Sequence, residues 1–156
     1  MRSALLLLCL SLVLAGSGCT RKQAATSLTP PTPAGTSQTG AIAWLRSYED
    51  GLKQAKQDGK PLMVDVFATW CGPCKKLDEE VFSRADVGEQ SKQFVAVKVD
   101  GDLHQDLVRK LEVSGYPTTV FLAADEKELG RVRGAVSYEE MLGAMEDALS
   151  KLSQGR

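Results

Sequence analysis

The sequence predicts an α/β domain with a central mixed β-sheet flanked by helices. Three short apolar runs rich in β-branched residues, "LMVDVFA" (62–68), "FVAVKVD" (94–100) and "TTVFLA" (118–123), alternate with stretches of helical spacing. That alternation points to parallel strands joined by helical crossovers. A short turn at 125–127 separates the third run from a fourth at 128–133, which adds an antiparallel hairpin.

In chain order, Trp44, Leu45, Tyr48, Leu52 and Ala55 recur at helical spacing and stop at Asp58-Gly59. Pro61 opens the next element, and residues 62–68 read as a strand buried on both faces. A helix starts at the cysteine pair Cys71/Cys74 and runs to Phe82, and a shorter helical piece covers 86–93. Residues 94–100 form a strand. Leu103, Leu107, Val108 and Leu111 outline a helix. The hairpin at 118–133 follows. Tyr138, Met141, Leu142, Met145, Leu149 and Leu152 mark a last amphipathic helix. The order is α, β, α, β, α, β, β, α, with no internal repeat.

The 156-residue chain is 43% apolar and 25% charged, with a net charge of −1. These values fit a soluble globular domain and give no electrostatic footprint for nucleic acid, so none is expected as a partner. Its N-terminus departs from that composition. Arg2 precedes the apolar stretch "ALLLLCLSLVLA" (4–15), which is shorter than the ~20 residues a membrane-spanning helix needs. Small residues follow, a pattern that reads as an export signal over 1–18. "LAGSGC", ending at Cys19, resembles the bacterial lipoprotein signal, although Gly16 stands where that family usually has leucine. The resemblance implies lipidation of Cys19 and a membrane anchor at the periplasmic face. Ordinary cleavage after Ala15 is the alternative, with a soluble product. Residues 19–40, rich in Thr, Ser, Pro, Ala and Gly, cannot bury enough surface to order themselves and read as a flexible linker. The globular domain is expected over 41–156.

The chemistry centres on "WCGPC", 70–74. Read from the residues alone, the pair Cys71 and Cys74 is a redox couple, half of a metal site or a structural bridge. A zinc site needs about four ligands. The mature chain adds only Cys19 and His104, so no metal is expected. Haem attachment would need His after Cys74, where Lys75 stands. A bridge across two residues constrains the unfolded chain little. For a redox couple, the strand-to-helix junction supplies the logic. Cys71, at a helix N-terminus, faces unpaired N–H groups that stabilise a thiolate and is the candidate nucleophile. Cys74, one turn on, is the candidate resolving thiol. Pro73 lacks an N–H where little is lost by it.

"VDVFATWCGPCKK" (64–76) resembles the active-site segment of the thioredoxin-like family. "GYPTTVFL" (115–122) resembles that family's cis-proline segment, with Pro117 as the proline and Tyr116 before it. In "RGAVSYEEM", Gly134 matches the glycine beside the site. The resemblance spans 44–152 and implies a thioredoxin-like fold, thiol-disulfide oxidoreductase activity, a Cys71–Cys74 redox disulfide and no cofactor. It also implies substrate contacts at Trp70, Gly72, Pro73, Tyr116, Pro117 and Gly134. Trp70 and Tyr116 read either as an apolar rim or as core packing, and Gly134 as a site of close backbone approach or a plain turn glycine. Asp65 interrupts an apolar strand six residues before Cys71. Burial should raise its pKa, and the resemblance implies a proton acceptor for Cys74. The family places a lysine near that acid. Ungapped alignment on "VKVD" puts Ala96 there, and Lys98, of the same strand parity, is the available substitute. The charges of "KKLDEE" read as a solvated helix face and His104 as a surface residue at a helix start.

The stretch 59–83 most resembles the C-terminal thioredoxin-like domain of the transmembrane thiol-disulfide interchange protein. The expected function is therefore an exported oxidoreductase that reduces or exchanges disulfides of exported proteins, with a membrane electron donor. A tethered peptide-binding or chaperone module using the same groove without redox turnover is the alternative.

Overall fold

A computed structural model of the protein describes residues 42–155. The signal segment, the linker and Cys19 expected at the N-terminus lie outside the described residues. The elements are α1 (Tyr48–Asp58), β1 (Leu62–Phe67), α2 (Gly72–Leu77), α3 (Ala85–Ser91), β2 (Val95–Asp100), α4 (Gln105–Lys110), β3 (Thr118–Leu122), β4 (Glu128–Arg133) and α5 (Tyr138–Gln154). A π-helical turn, Asp78–Phe82, continues α2.

The sheet order is β2-β1-β3-β4. β1 and β2 are parallel, and β3 runs antiparallel to both β1 and β4. Strand alternation sends Leu62, Val64 and Val66 to one face, where they pack with Tyr48 and Ala55 of α1 and Leu107 of α4. Met63, Ala96 and Phe121 face the other way, onto Leu77, Val81, Phe82 and Met141. Helices on both faces explain why β1 reads as one apolar run. The same alternation puts Asp65 on the face of Met63, the side covered by the cysteine helix and its continuation.

Two helix starts differ from expectation. Trp44 and Leu45 do not belong to α1. Ser47 caps that helix, accepting from the Asp50 N–H at 3.1 Å, and Glu49 and Asp50 occupy its first turn. These start signals outweigh the apolar spacing upstream. Leu45 instead forms a parallel bridge with Val97: its N–H donates to the Ala96 carbonyl and its own carbonyl accepts from Lys98 N–H, both at 2.9 Å. This covers part of the outer edge of β2. Likewise, α4 starts at Gln105, so Leu103 is not part of it. The Asp100 carboxylate accepts from Asp102 N–H at 2.9 Å, and Leu103 N–H donates to the Asp100 carbonyl at 3.2 Å. That side-chain turn holds 101–103 out of the helix.

Candidate active site

Cys71 stands at the junction of β1 and α2, as the N-cap of the helix, and is disulfide-bonded to Cys74 with the Cα atoms 5.3 Å apart. The Cys74 N–H donates to the Cys71 sulfur at 3.1 Å. On reduction, this donor and the free N–H groups of the first turn favour a thiolate at Cys71 over one at Cys74, which sits inside the turn. Gly72 and Pro73 form the exposed first turn. Both cysteines are buried, in a small cluster with Ala68 against which Phe67 and Tyr116 pack.

The Tyr116–Pro117 peptide bond is cis. Pro117 is buried, and its carbonyl accepts from Gly134 N–H at 2.8 Å, which ties the two loops together. Gly134 has φ +81°, and a Cβ there would meet nothing within 4 Å. Backbone conformation, rather than close approach, is what calls for glycine at this position. Tyr116 does both things considered for it. It is half-buried against the core, and its ring centroid lies 6.2 Å from that of Trp70. Trp70 is 70% exposed, and its indole N–H donates to the Asp102 carboxylate at 2.7 Å. Gly101 makes room for Tyr116, since a Cβ there would lie 2.3 Å from the tyrosine oxygen.

Beneath α2, Asp65 is 1% exposed. Its neighbours across the sheet are Lys98 on β2 and Thr119 on β3. Lys98 Nζ donates to one Asp65 oxygen at 2.7 Å and the Thr119 hydroxyl donates to the other at 3.2 Å. Lys98 also pairs with Asp78, in the π-helical turn that continues α2. The rings of Phe67 and Phe82, each 5.1 Å from Nζ, and of Trp44, at 5.3 Å, enclose the ammonium. Burial pushes the Asp65 carboxyl above its ordinary range. Lys98 acts against that shift, Asp78 adds to it, and the Thr119 hydrogen bond lowers it. The group is suited to hold a proton and to exchange it near the cysteine helix.

Lys98, the substitute of the same strand parity, does face Asp65, because the parallel register sets Ala96 opposite Met63. The reading of "KKLDEE" is corrected. Asp78 is only partly on a solvated face: its side chain is 43% exposed, and its carboxylate pairs with the buried Lys98. It lies four residues after Cys74, hence on the same side of the helix, and turns in to Lys98. Lys76 and Glu80 do form an exposed pair, at 3.8 Å. His104 is half-buried, with Nδ1 3.0 Å from the Asp100 carbonyl. Gly101 and Asp102 were missed as well. Their signal was "VDGD" (99–102) across the C-terminal end of a strand that borders the cysteine loop.

The family described as thioredoxin-like domain matches residues 48–149. The chain belongs to this family. It is 34% identical over 87 residues to thioredoxin-1 of Drosophila melanogaster, covering 55% of this chain and 79% of that one. It is 38% identical over 91 residues to the thiol:disulfide interchange protein DsbD of Klebsiella pneumoniae, covering 56% of this chain but only 15% of DsbD. The solution structure of a thioredoxin from Thermus thermophilus superposes with a TM-score of 0.67 at 28% identity, over 74% of this chain and 94% of that one. With its bonded Cys71–Cys74 pair, the protein is a thioredoxin-like thiol-disulfide oxidoreductase.

Proposed function

We propose that the protein reduces or exchanges disulfides of exported proteins, working from a lipid anchor at Cys19 on the periplasmic side of a bacterial membrane. The observation that carries the chemistry is the Cys71–Cys74 disulfide at the head of α2, above a buried Asp65. In the reduced protein, the Cys71 thiolate attacks one sulfur of a substrate disulfide. A Cys71–substrate bond forms, and the other substrate sulfur leaves as a thiolate. Asp65 takes the Cys74 proton. The Cys74 thiolate then attacks the Cys71 sulfur, closes the Cys71–Cys74 bond and expels the second substrate thiolate, which takes up a proton. Two electrons pass from the protein to the substrate. Trp70, Tyr116, Pro117 and Gly134, with Gly72 and Pro73 at the helix head, form the surface on which the substrate strand rests. A membrane electron donor returns the pair to the dithiol.

Export rests on the signal pattern of 1–18 and the "LAGSGC" segment. The similarity to part of DsbD supports a place among exported electron carriers. Two experiments test the proposal. Cys71→Ser should abolish insulin reduction, and Cys74→Ser should trap a mixed disulfide; turnover by Cys71→Ser overturns the mechanism. Cys19→Ala should block lipid labelling and membrane retention, and unchanged retention overturns the anchor. Equilibration with glutathione sets the direction of electron flow: a potential near about −270 mV fits a reductase and one near about −120 mV an oxidant.

A further inference from the structure

Among the described residues, the large hydrophobic side chains left exposed are Trp70, at 70%, and Leu103, at 79%. Isolated exposed leucines are ordinary, but these two residues are not isolated from each other. β1 and β2 are parallel neighbours that end in register, with Phe67 opposite Asp100. Trp70 lies three residues past the first strand end and Leu103 three past the second. The two loops leave the same edge of the sheet side by side, where open α/β sheets place their sites. Two bonds lash them together: Gly101 N–H donates to the Phe67 carbonyl at 2.8 Å and Trp70 Nε1 donates to Asp102 at 2.7 Å. Within the second segment, Gln105 Nε2 donates to the Gly101 carbonyl at 2.7 Å.

The Leu103 side chain is therefore exposed on a braced turn, one residue after the Asp102 that holds the Trp70 indole. The loop itself carries charge of one sign: residues 100–106, "DGDLHQD", contribute Asp100, Asp102 and Asp106 and no Lys or Arg. Asp106 shares a surface pocket with Lys53, Lys56 and Lys110, the last paired with Glu126, so Asp100 and Asp102 carry the negative charge that precedes Leu103.

We infer that Trp70 and Leu103 form an apolar shoulder, continuous with the disulfide site, that docks an apolar side chain of the substrate polypeptide flanked by a basic residue. Leu103 supplies the apolar contact, and the acidic loop selects the charge beside it. The inference rests on the disulfide-exchange reading above and adds to it which polypeptides are preferred.

The test uses the full chain, with dithiothreitol as reductant, and three disulfides. Two are synthetic peptides with a cystine near a leucine, one with arginine beside that leucine and the other with glutamate. The third is bis(2-hydroxyethyl) disulfide, too small to reach the shoulder. For the unaltered protein, KM should be several-fold lower for the arginine peptide, with the gap closing as salt rises. Leu103→Ser lies on an exposed turn and leaves the fold intact. It should raise KM for the arginine peptide about tenfold with little change in kcat, while turnover of the small disulfide is kept. Unchanged peptide KM values in Leu103→Ser, or a preference for the glutamate peptide, overturn this inference while small-disulfide turnover leaves the oxidoreductase reading standing. No turnover of any of the three disulfides by the unaltered protein defeats both.

Discussion

Replacing Lys98 by methionine isolates the electrostatics under the cysteine helix. Methionine keeps most of the lysine stem and suits the enclosure made by Trp44, Phe67 and Phe82. The substitution removes the ammonium 2.7 Å from the Asp65 carboxylate. At an effective dielectric constant of about 20, unit charges at that separation attract by about 6 kcal/mol. Desolvation of the lysine offsets part of this, and breaking buried pairs costs about 3–5 kcal/mol in practice. The Thr119 hydroxyl still donates to Asp65, which favours the lower end, about 3 kcal/mol. That cost is paid only while Asp65 is ionised. Its folded pKa is raised above the unfolded one, so its penalty is absent below the unfolded value and complete above the folded value. Lys98 holds that folded value down, and its removal moves it further up. Below the folded value of the unaltered protein, both proteins carry a neutral Asp65 and differ in packing and in the Lys98–Asp78 pair, which is lost at every pH. Above it, the gap between them widens with pH. For a domain of this size, about 3 kcal/mol corresponds to a Tm loss of roughly 12 °C. Thermal unfolding of the oxidised protein, followed by circular dichroism at a low and at a high pH, should show the smaller gap at the lower pH and the larger one at the higher. Equal gaps at both pH values would refute the assignment of Asp65 as the ionised partner of Lys98.

Asp65→Asn removes the proton acceptor while keeping the volume. The initial attack by Cys71 should be retained, and release of the mixed disulfide should slow about 100-fold near neutral pH, as loss of a general base does. Rapid acid quenching followed by mass measurement of the trapped adduct checks this, and an unchanged release rate counts against Asp65. Gly101→Ala forces a methyl group into the Tyr116 ring, 2.3 Å from its oxygen, so stability should fall by about 1–3 kcal/mol. Near-ultraviolet dichroism should change with it, and a urea midpoint equal to that of the unaltered protein would show that the ring yields freely. Gly134→Ala meets open space but holds φ at +81°. It should lower stability by about 1–2 kcal/mol, read from the same urea midpoints. A much larger loss would point to a steric role instead.

Much of the local pattern was legible in the sequence. β1 stands out as an apolar run because helices cover both of its faces, and the cysteine pair is recognisable because a strand end and a helix start flank it. Asp65 is visible as a lone carboxylate in that run. Strand parity marks Lys98 as the available partner of Asp65, and the parallel register of β1 and β2 sets the two opposite each other, 33 residues apart. What escaped depends on where single side chains turn. Asp78 looked like one charge among several in "KKLDEE". Only the helical phase counted from Cys74 places it on the inward side, and only the position of Lys98 gives it a reason to stay there. Leu103 shows the opposite error. Its spacing with Leu107 and Leu111 suited a helix face, yet the Asp100 side chain captures the turn and leaves the leucine in solvent. A misread helix residue thus became an exposed side chain beside Trp70. Apolar periodicity identifies which residues could be buried together. Polar side chains that bond the backbone, as Ser47 and Asp100 do, bear on where α1 and α4 begin, and so on which of those residues remain free to meet a partner.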